Sequence, residues 1–491
     1  MLDTACRLRI QNKLGGTLLR HTMGNFIIVL FLLGCLLDTF AGLIWWSGLL
    51  QQKEYRLDRL VAHIRSLTGR QILLHVLPSL TIFRLKTFKR PKRTLRVGIL
   101  LLGSVVVLFL LVFSLAYWVV AVPAIATIRL IVLAIGVYIF APVVLLLFTA
   151  LTGGLVSLVT TYYLFLVRQR IKKQQPFIIG ITGSYGKTTT KQLLSHVLQQ
   201  RGKVCTTPGS INTALGVARY VYKHLGCSKI LVLEYAAYRV GEIARLASVA
   251  PPDMAILTGL GKQHLELFGS KQLIAEAKAE LLASLPQGAA VFCANQSAMQ
   301  IVAAAKNICA LEIVETWRNS SPKLQSKIVG DHYQDSIKAV IAAAQYLKLS
   351  DKQIVARLES FVPGDKWIQR KTAKSGATIL DDFGTSNPDG FSAALRLLAQ
   401  QSESRKILIT TGIVDLGRES VAIHSQLAQQ AAVVVGEVWY LGEAGKTVFQ
   451  QVFSDKLVST QADVRKKIQL LDKNTVLLLE GRMPQWLTEH L

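Results

Sequence analysis

The sequence predicts an α/β protein that follows a helical, membrane-spanning region. The first third of the 491-residue chain holds apolar stretches long enough to cross a bilayer, and 51% of all residues are hydrophobic. From residue 176 onward, short apolar runs alternate with helical stretches, which is the pattern of layered α/β domains. The first of these runs leads into a glycine loop and a helix over residues 180–192, GITGSYGKTTTKQ. Together these observations predict the fold class.

Three apolar stretches predict membrane-spanning helices. Residues 25–50 and 97–122 each exceed the ~20 residues that a helix needs to cross a bilayer. Residues 130–167 are too long for one perpendicular span, so either a tilted helix continues into the cytosol or two short spans meet near residues 152–154. The first stretch is too long for a signal peptide and lacks a small-residue cleavage pattern. We therefore expect a multi-pass transmembrane region over residues 1–170.

Positive charge concentrates in the same region. The formal net charge is +26, and residues 1–175 carry 21 Lys or Arg against 4 Asp or Glu. Residues 84–96 hold seven basic residues and no acid. A basic loop beside spanning helices is typical of the cytoplasmic side, where it contacts anionic lipid. We expect loop 51–96 to be cytoplasmic and to bind membrane lipid, and we expect no nucleic-acid partner, although a basic patch can also bind nucleic acid.

The glycine loop predicts a site for nucleotide phosphates. Gly183 and Gly186 let backbone N–H groups crowd around a phosphate, and the helix that follows adds the positive end of its dipole. Lys187 would reach the β- and γ-phosphates, and the Thr188 hydroxyl would bind Mg²⁺. The generic P-loop has a glycine at the position of Ile181, so the match is to a shorter GxxGKT form. We expect ATP and Mg²⁺ here rather than an ordinary glycine turn.

The nucleotide site sets the orientation of the membrane region. ATP is cytosolic, so everything after Arg168 must lie in the cytoplasm, beneath an inner (cytoplasmic) membrane. An even number of spans must then separate this part from the basic loop. The basic N-terminus also favours the cytosol, which conflicts with a single crossing by residues 25–50. A re-entrant hairpin at Asp38 and Gly42 would remove the conflict, and both arrangements stay open.

Eight apolar runs predict the strands of the α/β part. They are residues 177–182, 229–236, 254–259, 289–295, 377–382, 406–412, 437–442 and 475–481. Residues 335–347 read as a helix, and residues 361–365 look like a hinge between two α/β domains. The six cysteines show neither CxxC nor zinc spacing, so we expect reduced, structural thiols.

Three more residues are candidates for chemistry. Glu234 ends an apolar strand, and the carboxyl ends of parallel strands are where open α/β sheets bind ligands. Because Glu234 would lie beside a P-loop, we expect it to bind Mg²⁺ rather than to be a surface or capping residue. His264 follows the strand at 254–259 and is a plausible metal or phosphate contact, although a lone histidine is more often structural. Lys278 lies in a helical stretch, where a lysine is ordinarily solvated.

Together these positions resemble the Mur ligase family, most closely its D-alanyl-D-alanine-adding (MurF-type) branch. The matching blocks are ordered along about 245 residues of the chain. They are GITGSYGKTTTK (180–191), SINTALGVA (210–218), VLEYAAYRVGEIARL (232–246), GLGKQHLELFGS (259–270), IAEAKAEL (274–281), GDHYQDSIKAVIAAA (330–344), LDDFGTSNPDGFSAAL (380–395) and DLGRESVAIH (415–424). The resemblance implies a P-loop ATP-binding central domain over 171–362 and a Rossmann-like α/β domain over 363–491.

The resemblance also implies a role for each site residue. Lys187, His264 and Lys278 would be catalytic, and Lys278 would be carbamylated by CO₂, which turns a cation into an anion that can bind Mg²⁺. The implied metal ligands are Thr188, Glu234, His264 and Lys278. The implied nucleotide-binding residues are Gly183, Ser184, Gly186, Lys187, Thr188, Thr189, Asn295, Asp382 and Asn387.

Several positions depart from the family pattern. They are Asp331 and Tyr333 in a GRHN-like block, Asp365 and Lys366 where an arginine is expected, with Arg370 nearby, and Gly384 and Thr385 where a tyrosine and an asparagine are expected. Membrane segments also stand where the family has a uridine-nucleotide-binding domain. ATP use is therefore better supported than use of a UDP-linked muropeptide.

The function that follows is a membrane-anchored, ATP-dependent amide ligase in peptidoglycan precursor synthesis. A carboxylate acyl donor would attack the γ-phosphate to give an acyl phosphate, and an amino-acid or dipeptide amine would displace the phosphate. One alternative is a Mur-like ligase on another carboxylate, such as poly-γ-glutamate, a folate-like tail or a lipid-linked precursor. The other is a nucleotide-binding membrane scaffold without catalysis, which would have no physical need for the full set of site residues.

Overall fold

The computed structural model describes residues 2–65, 91–120, 126–261, 265–364 and 367–491, except 307, 309, 321, 323, 325–327, 329, 383–386, 415, 417 and 418. Two compact units make up the chain, Met1–Leu158 and Val159–Leu491.

Long helices form the first unit. They are α1 (Leu2–Gln52), α2 (Leu57–Arg65), α3 (Leu95–Val120) and α4 (Ala126–Gln174), the last of which continues into the second unit. Among the described residues, three stretches are long and apolar enough to cross a membrane, Ile28–Gln52, Leu95–Leu115 and Thr127–Gln174. The fold class predicted for this region, apolar helices ahead of an α/β part, is confirmed.

The structure decides between the alternatives left open for two of these helices. Helix α1 runs without interruption through Asp38 and Gly42, so the re-entrant hairpin is wrong. Helix α4 is likewise one 49-residue helix through residues 152–154, so the alternative of two short spans is wrong. The physical reason is that residues 38–42 and 152–154 contain glycine but no proline, and a glycine within a helix costs only about 1 kcal/mol relative to alanine. The proline of α4, Pro142, lies ten residues before the second of these positions, and the helix continues through it. Within the basic loop 51–96, residues 66–90 lie outside the described part.

A six-stranded parallel sheet organises the middle of the chain. Its order is β2-β3-β1-β4-β5-β6. The strands are β1 (Phe177–Thr182), β2 (Val204–Thr206), β3 (Ile230–Glu234), β4 (Met254–Leu257), β5 (Ala290–Cys293) and β6 (Glu312–Glu315). The helices are α5 (Lys187–Leu198), α6 (Ala214–His224), α7 (Glu242–Ala247), α8 (Leu265–Phe268), α9 (Lys271–Ala279), α10 (Met299–Ala303), α11 (Gln334–Tyr346) and α12 (Asp351–Glu359). Because β1 lies centrally and is buried on both faces, its carboxyl end opens at the middle of the sheet edge.

A second six-stranded sheet follows, in the order β11-β10-β9-β12-β8-β7. Its pairs are parallel except β7 with β8, which is antiparallel. The strands are β7 (Gln369–Thr372), β8 (Thr378–Asp382), β9 (Arg405–Thr410), β10 (Glu437–Tyr440), β11 (Leu457–Val458) and β12 (Thr475–Glu480). The helices are α13 (Pro388–Ala399), α14 (Ser420–Val434), α15 (Lys446–Phe453), α16 (Gln461–Ile468) and α17 (Gln485–His490).

All eight predicted strands are confirmed, each somewhat shorter than or equal to its apolar run, and α11 confirms the predicted helix at 335–347. Four strands were missed: β2, β6, β7 and β11. Each is an edge strand of two to four residues. Edge strands have a partner on one side only and need no continuous apolar run, as the sequences EIVE of β6 and QRKT of β7 illustrate. Four cysteines are described (35, 205, 227 and 293), and all four are free thiols, as expected.

Candidate active site

The glycine loop connects the carboxyl end of β1 to the first turn of α5. Gly183 has φ 151° and Gly186 has φ 73°, both in the region that favours glycine. A side chain at Gly183 would also overlap the hydroxyl of Thr258, at the end of the neighbouring strand β4. The loop is held against that strand by the Ser184 N–H, which donates to the Gly259 carbonyl at 2.8 Å. The two glycines therefore permit a tight loop between two strand ends.

Two lysines converge on this loop. Lys187 Nζ donates to the Gly183 carbonyl oxygen at 2.7 Å, and Lys278 Nζ donates to the same oxygen at 2.9 Å. Lys278 is 5% exposed, so it is not the solvated helix residue that its local sequence suggests. Its helix α9 turns that side chain towards the carboxyl edge of the sheet. Two amines that share one carbonyl oxygen repel each other when both are protonated, so this arrangement disfavours two positive charges.

Burial lowers the pKa of both amines. For Lys187, desolvation lowers the pKa and the charge of Glu234 partly opposes this. For Lys278, desolvation lowers the pKa well below its ordinary value, and the nearby Lys187 charge lowers it further. A lysine with a lowered pKa has more of its amine in the unprotonated form, which is the nucleophilic form.

Glu234 and Thr188 lie together at the ends of β3 and the loop. The Thr188 hydroxyl donates to Glu234 Oε2 at 3.3 Å, and it also lies 3.5 Å from the Ser210 hydroxyl. Hydroxyl and carboxylate oxygens are the ligands that Mg²⁺ prefers, and these two are close enough for one cation to contact both. Among the described residues, no group of three or more His, Cys, Asp or Glu side chains could hold a metal ion. A Mg²⁺ site here would therefore need ligands other than these four residue types, such as the Thr188 hydroxyl.

Sequence reasoning missed Lys191, one helical turn after Lys187. Its Nζ lies 2.7 Å from Glu234 Oε1, and both side chains are 1% exposed. The same Nζ donates to Thr207 Oγ1 at 3.0 Å and to the Gly209 carbonyl at 2.8 Å. Lys191 therefore joins α5, the end of β3 and the loop after β2. The signal was present in the sequence: 187 and 191 are four apart and share a helix face.

Asn295 belongs to a hydrogen-bonded group beside the loop. It follows β5, and its amide donates to the Thr258 carbonyl at 3.0 Å and to Asp335 Oδ2 at 3.2 Å. The Tyr185 hydroxyl accepts from the same amide at 3.3 Å, which links Asn295 to the glycine loop. Tyr185 and Asp335 were not among the predicted site residues. Their types gave no local signal, because their positions depend on the packing of α11 against the sheet.

The predicted residues of the C-terminal sheet lie at its carboxyl edge. Asn387 begins helix α13, where its side chain accepts from the Gly390 N–H at 2.9 Å. Asp382 ends β8 opposite Glu480 of β12, and burial raises the pKa of Asp382, with Asp381 adding to the effect and the hydrogen bond to Glu480 opposing it. Asp382 and Asn387 make no hydrogen bond to the glycine loop within the part of the chain that the structure describes.

Helix α13 nevertheless approaches the loop. The Asp389 charge contributes to raising the pKa of Tyr185, after desolvation by burial, which has the larger effect. A cavity of about 200 Å³ lies between Gly261 and α13, with Lys271, Asp389 and Ser392 in its lining. The segment that follows β4 and helix α13 therefore border one cleft. Thr189 is half-buried in the first turn of α5. His264 lies outside the described residues, so its predicted role stays a prediction.

The part of the chain that carries this arrangement was compared with known protein families. Residues 181–360, which carry the glycine loop, Glu234 and Lys278, match the model of the Mur ligase middle domain. This segment of the chain is similar to a Mur ligase middle domain. The predicted resemblance to this family and to its MurF-type members is confirmed.

The curated proteins that this chain resembles are MurF-type enzymes. UDP-N-acetylmuramoyl-tripeptide--D-alanyl-D-alanine ligase of Mycobacterium tuberculosis is 32% identical over 287 residues, which cover 52% of this chain and 56% of that protein. The ligase of the same name from Escherichia coli is 26% identical over 346 residues, covering 64% of this chain and 75% of that protein. The chain thus spans a little over half the length of the mycobacterial relative.

Solved MurF structures share the fold of the α/β part of this chain. MurF from Acinetobacter baumannii superimposes with a TM-score of 0.59 at 23% identity, covering 66% of this chain and 77% of that one. MurF ligase from Thermotoga maritima, solved in complex with ADP, gives 0.58 at 24% identity, covering 67% and 82%. At these identities the likeness concerns the fold, and the mixed α/β Mur ligase fold is confirmed.

Proposed function

We propose that this protein is a membrane-anchored, ATP-dependent amide ligase of the MurF type that acts in peptidoglycan precursor synthesis. The observation that carries the proposal is the convergence of Lys187 and Lys278 on the Gly183 carbonyl, beside the Thr188–Glu234 pair. The curated relatives are named as ligases, and one structural neighbour was solved with ADP. A non-catalytic scaffold would have no physical need for a second, buried lysine, Lys278, beside Lys187 at the glycine loop.

The loop would bind the phosphates of ATP. The backbone N–H groups of Gly183 and Gly186, the Lys187 ammonium and the hydroxyls of Thr188 and Thr189 support this role. Ser184 would contribute by fixing the loop, because its N–H donates to the Gly259 carbonyl. Lys187 would move from the Gly183 carbonyl to the γ-phosphate, where charge develops during transfer. Asn295, Asp382 and Asn387 would bind the nucleoside side of ATP. In this proposal Asp382 and Asn387 reach the nucleotide when the cleft between the two sheets closes.

Thr188, Glu234, His264 and Lys278 would bind Mg²⁺, which offsets the negative charge gathered on the phosphates. Lys278 fits this role only as a carbamate, because an ammonium repels a cation. Its lowered pKa favours the neutral amine that reacts with CO₂, and the carbamate anion would then be held near the Lys187 ammonium. The carbamate of Lys278 and the ammonium of Lys187 would then form a pair of opposite charges.

The proposed reaction proceeds through an acyl phosphate. The carboxylate of the acyl donor attacks the γ-phosphorus, forming a C–O–P linkage while the bond to ADP breaks. The amine then attacks the acyl carbon, inorganic phosphate leaves, and the amine loses a proton. Closure of the cleft would exclude water, which would otherwise hydrolyse this intermediate.

The acyl donor is the part of the proposal that departs from the relatives. Their names specify a UDP-linked tripeptide donor and D-alanyl-D-alanine. In this chain apolar helices precede the Mur ligase part, and we propose that the donor is recognised with little dependence on a UDP group. A lipid-linked carboxylate is the second candidate donor, and the apolar first unit is the observation that favours it.

We further propose that the helices anchor the protein in the cytoplasmic membrane with the catalytic part in the cytoplasm. Protease added to sealed spheroplasts should then spare residues after Arg168, and alkaline carbonate should fail to extract the protein. Cleavage after residue 168 from outside would contradict the orientation, and extraction by carbonate would contradict the anchoring.

The activity is tested with the full chain in detergent micelles. ADP release should require an acyl donor and an amine together, screened as muropeptides with and without UDP against D-alanyl-D-alanine and single amino acids. The variant Lys187→Ala should lose this activity, and Lys352→Ala, at an exposed position, should keep it. Donor-independent ATP hydrolysis, or full activity of Lys187→Ala, would contradict the proposal.

A further inference from the structure

The last part of helix α4, residues 159–174, has one face buried in the second unit. The buried side chains are Thr160, Leu164, Val167 and Ile171, and the last three belong to the core cluster that includes strands β1 and β3. Their spacing of three or four residues places them on one side of the helix. This segment is therefore an integral element of the α/β unit.

The opposite face of the same segment exposes apolar side chains. Val159, Tyr162 and Phe165 are each about half or more exposed, with Tyr162 at 62%. Three residues apart, they form a strip along the helix that no other part of the described chain covers. Directly after the strip come Arg168, Arg170 and two lysines. An apolar strip that ends in basic residues is the arrangement found where a helix leaves a bilayer.

Arginines of α6 and α7 contact this segment, and Arg170 of the segment contacts α6 in turn. The Arg219 guanidinium of α6 lies 5.7 Å from the Tyr163 ring centroid, and the Arg170 guanidinium lies 4.4 Å from the Tyr222 ring centroid. Arg245 of α7 donates to Thr161 Oγ1 at 3.0 Å. We call these residues, with the strip, the arginine–tyrosine face.

The arginines of α6 and α7 lie level with the apolar strip. Their contacts Thr161 and Tyr163 flank Tyr162 in the helix, and both precede Arg168 by about 8 to 10 Å along the axis at the helical rise per residue. The part of the chain that carries these arginines is basic: residues 159–250 include thirteen Lys or Arg and two acids. One of those acids, Glu234, is buried against Lys191.

We propose that the arginine–tyrosine face rests on an anionic lipid bilayer, with Val159, Tyr162 and Phe165 in its interfacial layer and Arg219 and Arg245 among the headgroups. Aromatic side chains favour the interfacial layer, and basic side chains favour anionic headgroups. The inference rests on the membrane placement proposed above and adds the surface by which the ligase unit contacts lipid. The unit would then meet its acyl donor at the bilayer surface.

The strip is tested by photo-cross-linking in the full chain. p-Benzoylphenylalanine replaces Tyr162 or Phe165, and the protein is reconstituted in vesicles of phosphatidylcholine with phosphatidylglycerol. Leu110 of α3, also exposed and apolar, serves as the control for membrane insertion, and Val433 of α14, 89% exposed, as the control for a surface away from lipid. Mass spectrometry then detects lipid adducts.

Adducts at positions 162, 165 and 110, with none at 433, are the expected result. Adducts at 110 without any at 162 and 165 would overturn this inference and leave the membrane placement standing. The absence of adducts at all four positions would overturn both. Cross-links from 162 to another protein in place of lipid would also overturn the inference.

The arginines are tested by phenylglyoxal modification in the same vesicles. Arg465 is the matched control, because both Arg465 and Arg219 are exposed and each lies near an aromatic ring. The Arg465 guanidinium lies 5.8 Å from the Trp486 ring centroid, and that of Arg219 lies 5.7 Å from the Tyr163 ring centroid. Adding phosphatidylglycerol to phosphatidylcholine vesicles should slow modification of Arg219 and Arg245 by about five-fold relative to Arg465, given the attraction of each basic side chain to an anionic surface. Equal rates in the two kinds of vesicle would overturn the contact with headgroups.

Discussion

Two lysine side chains on one carbonyl oxygen define the site at the scale of single residues. Lys187 and Lys278 both donate to Gly183, and burial lowers the pKa of each. The Lys187 contact lies within the glycine loop, but the Lys278 contact does not follow from local sequence, because Lys278 lies 95 residues after Gly183. The lysines lose hydration and repel each other, which favours binding of an anion between them.

Replacing Lys278 tests this electrostatic arrangement through pH. In the unfolded chain the Lys278 pKa is near 10.5, and in the folded protein it is well below. Between those two values the unfolded state binds more protons, so stability rises with pH and is lowest below the folded pKa. In CO₂-free buffer without nucleotide, Lys278→Met should therefore be more stable than the parent at neutral pH, with the difference shrinking towards pH 10.5.

Unfolding by urea, followed by tryptophan fluorescence across this pH range, measures the effect. Lys352→Met, at an exposed helix position, is the control and should follow the parent at every pH. A constant difference between Lys278→Met and the parent across the range would contradict the lowered pKa.

Carbamylation predicts a second property of Lys278. Lys278→Ala should lose ligation, because the anion that binds the metal is gone, and formate or acetate should restore part of it by occupying the vacated space. Steady-state ADP release with and without the carboxylates measures this. Full activity of the alanine variant without any carboxylate would show that the carbamate is unnecessary.

The buried ion pair between Lys191 and Glu234 predicts a large loss of stability when Lys191 is replaced. Lys191→Met leaves the buried Glu234 carboxylate without its ion-pair partner, and such a loss typically costs about 3 to 5 kcal/mol of unfolding free energy. Adding Glu234→Gln removes the unpaired charge, so the double variant should recover much of that loss. Urea unfolding of both variants measures the difference. Equal stability of the single and double variants would contradict a dominant ion-pair role.

Sequence reasoning recovered the elements with strong local patterns. The eight central strands stand out as apolar runs, and the glycine loop has its own spacing. The four missed strands are edges whose stability comes from one neighbour, a property of the assembled sheet. Lys278 illustrates the same limit for a site residue, since a helix position that looks solvated is buried by the packing of α9 on the sheet edge.

The buried and exposed faces of helix α4 predict different effects of substitution. Leu164 is buried in the core of the second unit, and Phe165 is exposed on the opposite face. Leu164→Ala should lower the unfolding free energy by about 2 to 5 kcal/mol, because it leaves a cavity, and Phe165→Ala should change it by less than about 0.5 kcal/mol in detergent. Urea unfolding in micelles compares the two. Similar losses for both variants would contradict the two-faced packing of this segment.

At the scale of the whole molecule, the order of the parts was predictable and several details were not. Apolar helices, a P-loop sheet and a second α/β sheet follow from hydropathy, strand spacing and the resemblance of ordered blocks. The continuity of α1 and α4 through their glycines did not follow, because one glycine is compatible with both a helix and a turn. The ion pair of Lys191 with Glu234 also did not follow, since it joins elements that meet only in the fold.

The central claim is that ATP activates a carboxylate as an acyl phosphate in the site around Lys187. The most direct measurement gives the full chain a muropeptide donor labelled with ¹⁸O in its carboxylate, together with ATP and D-alanyl-D-alanine, and analyses the phosphate by mass spectrometry. We expect ADP and inorganic phosphate that carries one donor oxygen, with no labelled phosphate from Lys187→Ala. Unlabelled phosphate released with ADP, or label appearing in AMP, would contradict it.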